Sequence, residues 1–251
     1  MKKNFLLLLT FLAFGFGLAA QTSTPQVQQT QGEESDAFSP VGRWTLGVDA
    51  GLVLNRLDAG TAYMKNYSYM PRLNFSYGLH VRYQPYKWLA LRTGLYYIPK
   101  DYVLMQVDSI TIDDKIEDFA RGEMAQNGYL NVPFMADLSI GKKVRYHLFL
   151  GGYMGYWLNG SRSGGALPLM SVRDSYEYSE LYTFDKSRDN RFDAGLTYGL
   201  GISIPCSKRV GIDVNMHWYY GLTDLQKRLS RQHNPQYYTS FLLLVGATYT
   251  L

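Results

Sequence analysis

Three histidines lie on stretches that also carry aspartates, and a histidine beside an acid is the combination that general-base catalysis uses. A serine next to such a pair would supply a nucleophile for hydrolysis. Arginines share these stretches, so the same residues can instead form a network of ion pairs. The candidate positions are Asp49, Arg72, His80, Arg82, Arg92, Asp137, Arg145, His147, Asp193, Asp213 and His217. The choice between catalysis and an ionic network depends on the elements that carry these residues.

Acidic residues are concentrated in residues 101–124, which hold seven acids against two bases. Calcium loops place their oxygen ligands at regular intervals around a glycine. Asp108, Asp113, Asp114 and Asp118 lack both that spacing and that glycine. The sequence therefore predicts no metal site and no cofactor, and a charge run of this kind is typical of a hydrated surface.

The composition excludes several broad classes of protein. Of the 251 residues, 46% are hydrophobic, 15% aromatic and 18% charged, with 22 Tyr, and the mean hydropathy is −0.20. A polytopic helical membrane protein needs repeated apolar runs of about 20 residues, and a disordered chain has few aromatic residues. The net charge is +4, and the sequence shows no clustered basic face that would indicate nucleic-acid binding. The single cysteine, Cys206, cannot form an internal disulfide.

Residues 1–20 have the organisation of a secretory signal peptide, because two lysines precede one apolar run that ends in small residues. Cleavage is expected after Ala19 or Ala20, and a signal anchor is the alternative. Residues 21–40 are rich in Gln, Thr, Ser and Glu and show no periodicity, which predicts a flexible periplasmic leader. Residues 41–251 form the predicted folded domain.

The predicted domain repeats one pattern, in which apolar and polar residues alternate with the period of two that is typical of strands. Eight such segments are present, at residues 44–55, 72–83, 89–97, 130–140, 145–158, 192–204, 210–220 and 240–251. Short turns at 85–87, 141–143 and 205–208 alternate with long loops near 58–70, 101–124, 159–189 and 222–236. This pattern predicts an all-β fold, an eight-stranded antiparallel up-and-down transmembrane β-barrel with short periplasmic turns and long extracellular loops. A soluble lipocalin-like barrel is the alternative.

The glycines distinguish these two barrels. Most glycines of the strands, such as Gly47, Gly78 and Gly199, share the parity of the polar residues, and Gly152 is the main exception. The interior of an eight-stranded barrel is only just wide enough for side chains, so small residues must alternate there with large ones. The polar parity is therefore expected to face the lumen, where the candidate acids, arginines and histidines would form a polar network beyond the reach of lipid.

Aromatic residues of the apolar parity are concentrated near the strand ends. Those by the short turns are Trp44, Tyr83, Tyr146 and Tyr249, and those by the long loops are Tyr97, Tyr156, Phe192, Trp218 and Tyr220. Two such belts are typical of the aromatic girdles at the two membrane interfaces.

With these features, residues 40–251 resemble the outer-membrane β-barrel proteins of Bacteroidota, the PorT-like group. The resemblance rests on the export signal, on glycine-rich strands such as Leu196–Ile204, and on the terminal strand Phe241–Leu251. It implies a Gram-negative outer-membrane location, contact with outer-membrane lipid and recognition of the terminal strand by the barrel-assembly machinery. Many relatives end in an aromatic residue, whereas this chain ends in leucine. The Asp-Ser-Ile sequence at Ser109 resembles the O-glycosylation acceptor of this phylum.

Three functions follow as hypotheses. The leading one is a non-enzymatic integral outer-membrane barrel with a side-chain-filled lumen, whose loops bind a partner or stabilise the envelope. The alternative is a PorT-like accessory of protein secretion, and the third is a lipid A-modifying enzyme. A protein or glycan partner is expected at loops 101–124 and 159–189, and extension of the strands above the membrane is the equal alternative for 159–189. The first of these loops is expected to be hydrated, with a short amphipathic helix around residues 112–120 as the alternative.

Overall fold

The structure is a computed structural model of the chain, and it describes residues 41–59, 67–112, 115–142, 144–168, 176–227 and 235–251. At residues 59, 67–69, 106–112, 115–121, 165–168, 176 and 177 it describes the backbone alone. The predicted signal peptide and leader lie outside the described residues, so both stay predictions. No helix in the described part of the chain is long and apolar enough to cross a membrane.

The described residues form ten strands in one antiparallel sheet. The strands are β1 (Trp44–Ala59), β2 (Tyr67–Tyr83), β3 (Leu89–Pro99), β4 (Tyr102–Ile112), β5 (Lys115–Ile140), β6 (Arg145–Pro168), β7 (Tyr176–Leu181), β8 (Phe192–Pro205), β9 (Val210–Gly221) and β10 (Gln236–Thr250). Their alternating side chains and their content of aromatic and β-branched residues are those that favour a pleated wall with two different faces.

The sheet closes into a barrel of eight strand positions, because β10 pairs with β1. The order around the barrel is β1, β2, β3, β5, β6, β8, β9 and β10. The strand β4 continues β3, since both pair with β2 on one side and with β5 on the other. Similarly, β7 and β8 both pair with β6, and residues 182–191 leave the sheet between them. The predicted eight-stranded antiparallel barrel is confirmed.

The strand register gives the barrel its stagger. One circuit through paired residues that starts at Thr45 returns to Asn55, ten residues further along the same strand. The circuit passes through Arg82, Arg92, Met135, Gly151, Thr197, Tyr219 and Ser240. A stagger of this kind tilts the strands across the barrel axis and sets a lumen that side chains can fill.

Burial alternates along the strands and shows which parity faces inward. On β8, Leu196 is 55% exposed, whereas its neighbour Thr197 is 1% exposed. Leucine, valine and aromatic side chains dominate the exposed parity of every strand of the ring, while the buried parity carries most of the charged residues. The polar parity therefore faces the lumen, as the glycines predict.

Glycines make room for large inward side chains. A Cβ at Gly78 would lie 2.4 Å from the ring of Tyr96, and one at Gly94 would lie 2.7 Å from the same ring. On the other side of the barrel, a Cβ at Gly201 would lie 2.9 Å from the ring of Phe149. Small and large residues thus share the lumen in the manner that a narrow barrel requires.

The connections at the two ends of the barrel differ. The turns at residues 84–88, 141–144 and 206–209 are short, and they define the short-turn end. The prediction of a loop at 101–124 was wrong for most of its length, because β4 and β5 extend the barrel wall there. In 159–189, β6 and β7 extend the wall over residues 159–168 and 176–181, which is the alternative that the sequence left open for this segment. The amphipathic helix considered for residues 112–120 is also wrong, since Thr111 and Ile112 pair with Ile116 and Lys115 in a hairpin. Repeated β-branched residues favour this extension. The opposite end is called the long-loop end.

Candidate functional site

A buried cluster around Asp49 joins three neighbouring strands inside the lumen. Oδ2 of Asp49 on β1 lies 2.7 Å from Nδ1 of His80 on β2. The same oxygen accepts a hydrogen bond from Nη2 of Arg92 at 3.1 Å and from the hydroxyl of Tyr96 at 2.6 Å. All four side chains are buried. Three donors converge on one carboxylate oxygen and so compensate for the removal of its charge from water.

A second cluster contains the Ser, His and Asp contacts of a hydrolase triad. Nδ1 of His147 donates to Oδ1 of Asp137 at 2.7 Å, and Oγ of Ser203 lies 2.8 Å from Nε2 of His147. Nη1 of Arg82 lies 3.6 Å from the other oxygen of Asp137. Serine hydrolases connect their Ser, His and Asp side chains in the same sequence of hydrogen bonds. Ser203 was not singled out from the sequence, because the alternating pattern of β8 shows only that its side chain faces inward.

The surroundings of this second cluster separate it from a hydrolase site. Ser203 is buried and lies between β6 and β9, so its backbone belongs to the sheet. Arg145, which pairs with Ser203 across the sheet, donates to Oγ of Ser139 at 2.5 Å and to the carbonyl of Lys87 at 2.8 Å. A hydrolase needs substrate access and free N–H groups aimed at an oxyanion. The geometry around His147 therefore favours a structural role.

His217 has a different environment from the other two histidines. Its ring packs against Phe149 at 4.9 Å between ring centres and against Tyr219 at 6.4 Å. Neither ring nitrogen has a hydrogen-bond partner among the described residues. Asp213, four residues earlier on β9, is also buried. The described residues thus bring no acid into hydrogen-bond contact with His217, so the third candidate His–acid pair is not formed.

Towards the long-loop end, the lumen contains a fully buried lysine. Lys100 lies in the break between β3 and β4, and its ammonium group forms an ion pair with Asp193. The ring centres of Tyr129, Tyr153 and Tyr238 lie 4.7, 5.0 and 5.5 Å from the same nitrogen. These distances are those of cation–π contacts. Sequence reasoning found Asp193 and missed Lys100, because a residue in a strand break has no place in the alternating pattern.

Aromatic rings close the lumen above Lys100. This aromatic plug consists of Tyr129, Trp157, Tyr182, Phe184 and Tyr238. Tyr129 stacks on Trp157 with ring centres 5.8 Å apart, and Trp157 contacts Tyr182 at 5.4 Å and Phe184 at 4.7 Å. Tyr182 and Phe184 come from the segment between β7 and β8, which therefore folds over the barrel mouth.

Arginines lie against the rings of the aromatic plug. The guanidinium carbon of Arg162 lies 4.4 Å from the ring centre of Tyr182, and that of Arg191 lies 3.7 Å from the ring centre of Phe184. Arg72, predicted as part of the polar network, is half-buried and pairs in register with Asn55 near this end. The two ends of the lumen are thus occupied by different kinds of side chain.

The segment at residues 182–191 lies outside the barrel wall and is held by its own hydrogen bonds. Burial raises the pKa of Tyr182, and the hydrogen bond that its hydroxyl donates to Asp189 raises this pKa further. The side-chain oxygen of Asp185 accepts hydrogen bonds from the hydroxyl and the backbone N–H of Ser187 at 2.7 and 2.8 Å, which lowers the pKa of this exposed carboxyl.

The predicted girdle residues lie on the outward parity at the two ends of the barrel. Six of them are exposed: Trp44, Tyr146, Tyr156, Phe192, Tyr220 and Tyr249. The three others, Tyr83, Tyr97 and Trp218, are half-exposed. Each packs against another aromatic ring of the outward parity. For example, Trp44 contacts Tyr83 with ring centres 4.8 Å apart. Between these residues the outer wall is apolar.

Ser109 lies on β4, where its backbone pairs with that of Asp118 on β5. The side chain of Ser109 lies outside the part of the chain whose side chains are described, so its O-glycosylation stays a prediction. Within the described residues, no cluster of three or more His, Cys, Asp or Glu has the arrangement of a metal site.

A closed barrel with charged residues inside, an apolar outer wall and aromatic residues at both ends defines the class of transmembrane β-barrels. The family described as outer membrane protein beta-barrel domain matches residues 19–227 of this chain. The chain therefore belongs to that family, and an outer-membrane location follows from the family and the fold. No curated protein matches the sequence.

Several solved outer-membrane barrels are similar to this chain. OprG from Pseudomonas aeruginosa is 10% identical with a TM-score of 0.43, and the match covers 84% of this chain and 97% of OprG. Ail of Yersinia pestis is 13% identical with a TM-score of 0.36, covering 82% and 98%. The outer membrane protease OmpT from Escherichia coli is 8% identical with a TM-score of 0.36, covering 84% and 98%. Function must be inferred from the residues of this chain.

Proposed function

We propose that this outer-membrane barrel is neither an enzyme nor an open pore, and that its long-loop end binds a partner or stabilises the envelope. The observation that carries the proposal is the burial of the three candidate histidines, His80, His147 and His217, together with Asp49 and Asp137 inside the lumen. Lipid and periplasmic substrates would have to enter a barrel that these side chains already fill. The hydrogen bonds of His80 to Asp49 and of His147 to Asp137, and the ring packing of His217, favour a structural role.

Closure at both ends supports the same proposal. Arg145 contacts Ser139 and Gln84 at the short-turn end, with the bond to Gln84 at 3.1 Å. The aromatic plug and Lys100 occupy the long-loop end. A barrel of eight strands leaves no aqueous channel once side chains fill it. Planar bilayers containing the purified barrel are expected to show no steady conductance, and a stable open level would contradict the proposal.

A cleft near the long-loop end, lined by both polar and apolar residues, is the proposed contact site for the partner. It has a volume of about 300 Å³, and its lining includes Tyr97, Asp101, Gln126, Asn159 and Ser161. It brings together the two segments, 101–124 and 159–189, at which a partner is expected. Carboxylate, amide and hydroxyl groups in one concave site offer both donors and acceptors of hydrogen bonds, which suits a hydroxyl-rich glycan or a polar protein loop.

Site-specific photocrosslinking in intact cells tests this contact site. Leu181 lines the cleft and is 86% exposed, whereas Leu222 is exposed on another part of the long-loop end. A photoreactive residue at Leu181 is expected to form a discrete adduct, and the matched control at Leu222 is expected to form none. Equal labelling at both positions, or labelling at neither, would exclude the cleft as a contact site.

Two other functions make different predictions for the same cells. A lipid A-modifying enzyme would lose its effect on lipid A mass when His147→Gln removes the only Ser–His–Asp contact seen among the described residues. A PorT-like accessory of secretion would use the wall extension of β4 and β5 as a docking surface. Deletion of the whole protein would then leave secreted cargo in the periplasm. We expect unchanged lipid A in cells with the His147→Gln variant, and unchanged secretion in cells that lack the protein.

A further inference from the structure

Cations surround the short-turn end of the barrel. This basic ring is defined by Arg43, Lys87, Lys142, Lys208 and Arg209, all of which are exposed. The segments that form this end contain no Asp or Glu, and they comprise residues 41–45, 82–90, 139–146 and 203–212. The acids nearest to this end in the sequence, such as Asp137 and Asp213, are buried in the lumen. The described residues of these segments therefore present one sign of charge at the rim.

The cations of the basic ring are distributed evenly around the barrel. Arg43 precedes β1, Lys87 lies between β2 and β3, Lys142 between β5 and β6, and Lys208 with Arg209 between β8 and β9. In the order of the closed sheet, the three turns are separated by two strand positions each, and Arg43 lies at β1, in the remaining interval between the last turn and the first. Each quarter of the circumference thus carries at least one cation. A protein partner docks on one side of a barrel, whereas an annulus of lipid contacts every side.

The basic ring lies at the depth of the membrane interface. Arg43 directly precedes the girdle residue Trp44, and Nη1 of Arg209 donates a hydrogen bond to the hydroxyl of Tyr249 at 3.2 Å. Lys87 stands between Tyr86 and Trp88, whose exposed rings stack with centres 6.2 Å apart. Aromatic belts mark the level of lipid headgroups. The cations therefore lie where phosphate groups of lipids are found.

The long-loop end does not share this charge pattern. Arg56 pairs with Asp58 at 2.9 Å and Arg188 with Asp189 at 3.0 Å, so these two cations are matched by acids of the same chain. An ion pair at a surface presents little net charge to a third group. The two ends thus face the two leaflets with different electrostatic character.

We propose that the basic ring binds the headgroups of anionic phospholipids in the periplasmic leaflet, and that this contact sets the barrel's depth and orientation in the outer membrane. The short turns of outer-membrane barrels face the periplasm, and a basic segment close to a membrane surface attracts anionic lipid. This inference rests on the family membership and the charge pattern, so its failure would leave the proposed function intact.

Lipid-specific fluorescence quenching tests the proposal with the full-length barrel. The carrier is the Trp218→Phe variant, which leaves Trp44 and Trp88 as exposed tryptophans at the short-turn end. The barrel is reconstituted in vesicles of phosphatidylcholine that contain increasing fractions of brominated phosphatidylglycerol. A second series has the same lipid compositions, but its phosphatidylcholine is brominated and its phosphatidylglycerol is not. Because both leaflets have the same composition, the direction of insertion does not affect the result. A preference for phosphatidylglycerol of about threefold is expected at low salt, and 0.5 M NaCl should weaken it.

A ring variant and a matched control locate the effect. The ring variant carries Arg43→Gln, Lys142→Gln, Lys208→Gln and Arg209→Gln, and it should lose the preference. The control carries Arg56→Gln, Lys186→Gln, Arg188→Gln and Lys227→Gln, which removes equal charge from the long-loop end, and it should keep the preference. Heat-modifiable gel migration verifies folding of both. The proposal would be overturned by any of three results. Both brominated lipids quench the parent barrel equally, the ring variant keeps the preference for phosphatidylglycerol, or the control loses as much of that preference as the ring variant does.

Discussion

The two ends of the lumen are closed in different ways. Around Asp49 and Asp137, charged side chains are joined to one another by short hydrogen bonds. Beneath the long loops, aromatic rings stack around a single ammonium group, that of Lys100. Removal of one member of a charged cluster leaves another charge buried and unpaired, whereas removal of one ring leaves a cavity. The long-loop end is therefore the end that can change shape at lower free-energy cost, and it is also the end proposed to contact a partner.

The largest effect is expected from Asp49→Ala, because it leaves His80 and Arg92 without their common acceptor. Breaking a buried ion pair on one side costs about 4 kcal/mol of unfolding free energy. Reversible urea unfolding in lipid vesicles, followed by tryptophan fluorescence, measures this loss. Asp58→Ala is the control, since Asp58 pairs with exposed Arg56, and it should cost less than about 1 kcal/mol. Similar losses in both variants would contradict the distinction between buried and exposed pairs.

The ion pair between Lys100 and Asp193 tests whether the long-loop end follows the same electrostatic rule. Lys100→Met and Asp193→Leu should each lower the free energy of unfolding by about 3 kcal/mol, since each leaves one buried charge alone. The double variant should lose about 1 kcal/mol or less, because the tyrosine rings can surround an apolar pair. A double-mutant cycle in the same urea assay measures the coupling. Additive losses would show that the two groups act independently.

The sequence predicted the wall of this barrel far better than its closure. Period two placed Leu196 and Thr197 on opposite faces of the wall, and the glycines of the polar parity placed Thr197 inward. The alternation could not place Lys100, which lies in a strand break, or Tyr182 and Phe184, which lie in a segment without periodicity. Tyr182 and Phe184 reach Trp157 only because residues 182–191 fold over the mouth, and that path depends on contacts between residues distant in sequence.

Phe184→Ala is expected to loosen the plug without unfolding the wall. Phe184 is half-buried and contacts Trp157, Tyr182 and Arg191, so the loss should be about 2 kcal/mol, below that of a fully buried phenylalanine. Hydrogen exchange at residues 182–191 should accelerate while exchange in the strands stays constant. Phe192→Ala, on the outer wall, is the control and should leave exchange in this segment unchanged. Acceleration throughout the barrel would show that plug and wall unfold together.

Ser203→Ala separates a structural hydroxyl from a nucleophile. Loss of its hydrogen bond to His147 should cost about 1 kcal/mol of unfolding free energy, and the lipid A mass spectrum should not change. Ser161→Ala removes an exposed hydrogen bond to Gln126 and should cost less. A loss of lipid A modification in cells that carry a stably folded Ser203→Ala barrel would instead identify a hydrolase.

The smallest effect concerns the pH dependence of the segment that forms the plug. The hydrogen bonds from Ser187 lower the pKa of Asp185 from its ordinary value of 3.8. A group with a lowered pKa in the folded state stabilises that state above its unfolded pKa, and this stabilisation is lost as the pH falls through the folded pKa. The local order of residues 182–191 should therefore be constant from neutral pH to about pH 4 and decrease below it. Carbon NMR titration of the Asp185 carboxyl measures the pKa, and Ser187→Ala should return it towards 3.8. An Asp185 pKa of 3.8 in the parent protein would mean that the hydrogen bonds between Asp185 and Ser187 do not hold this segment in place over the barrel mouth.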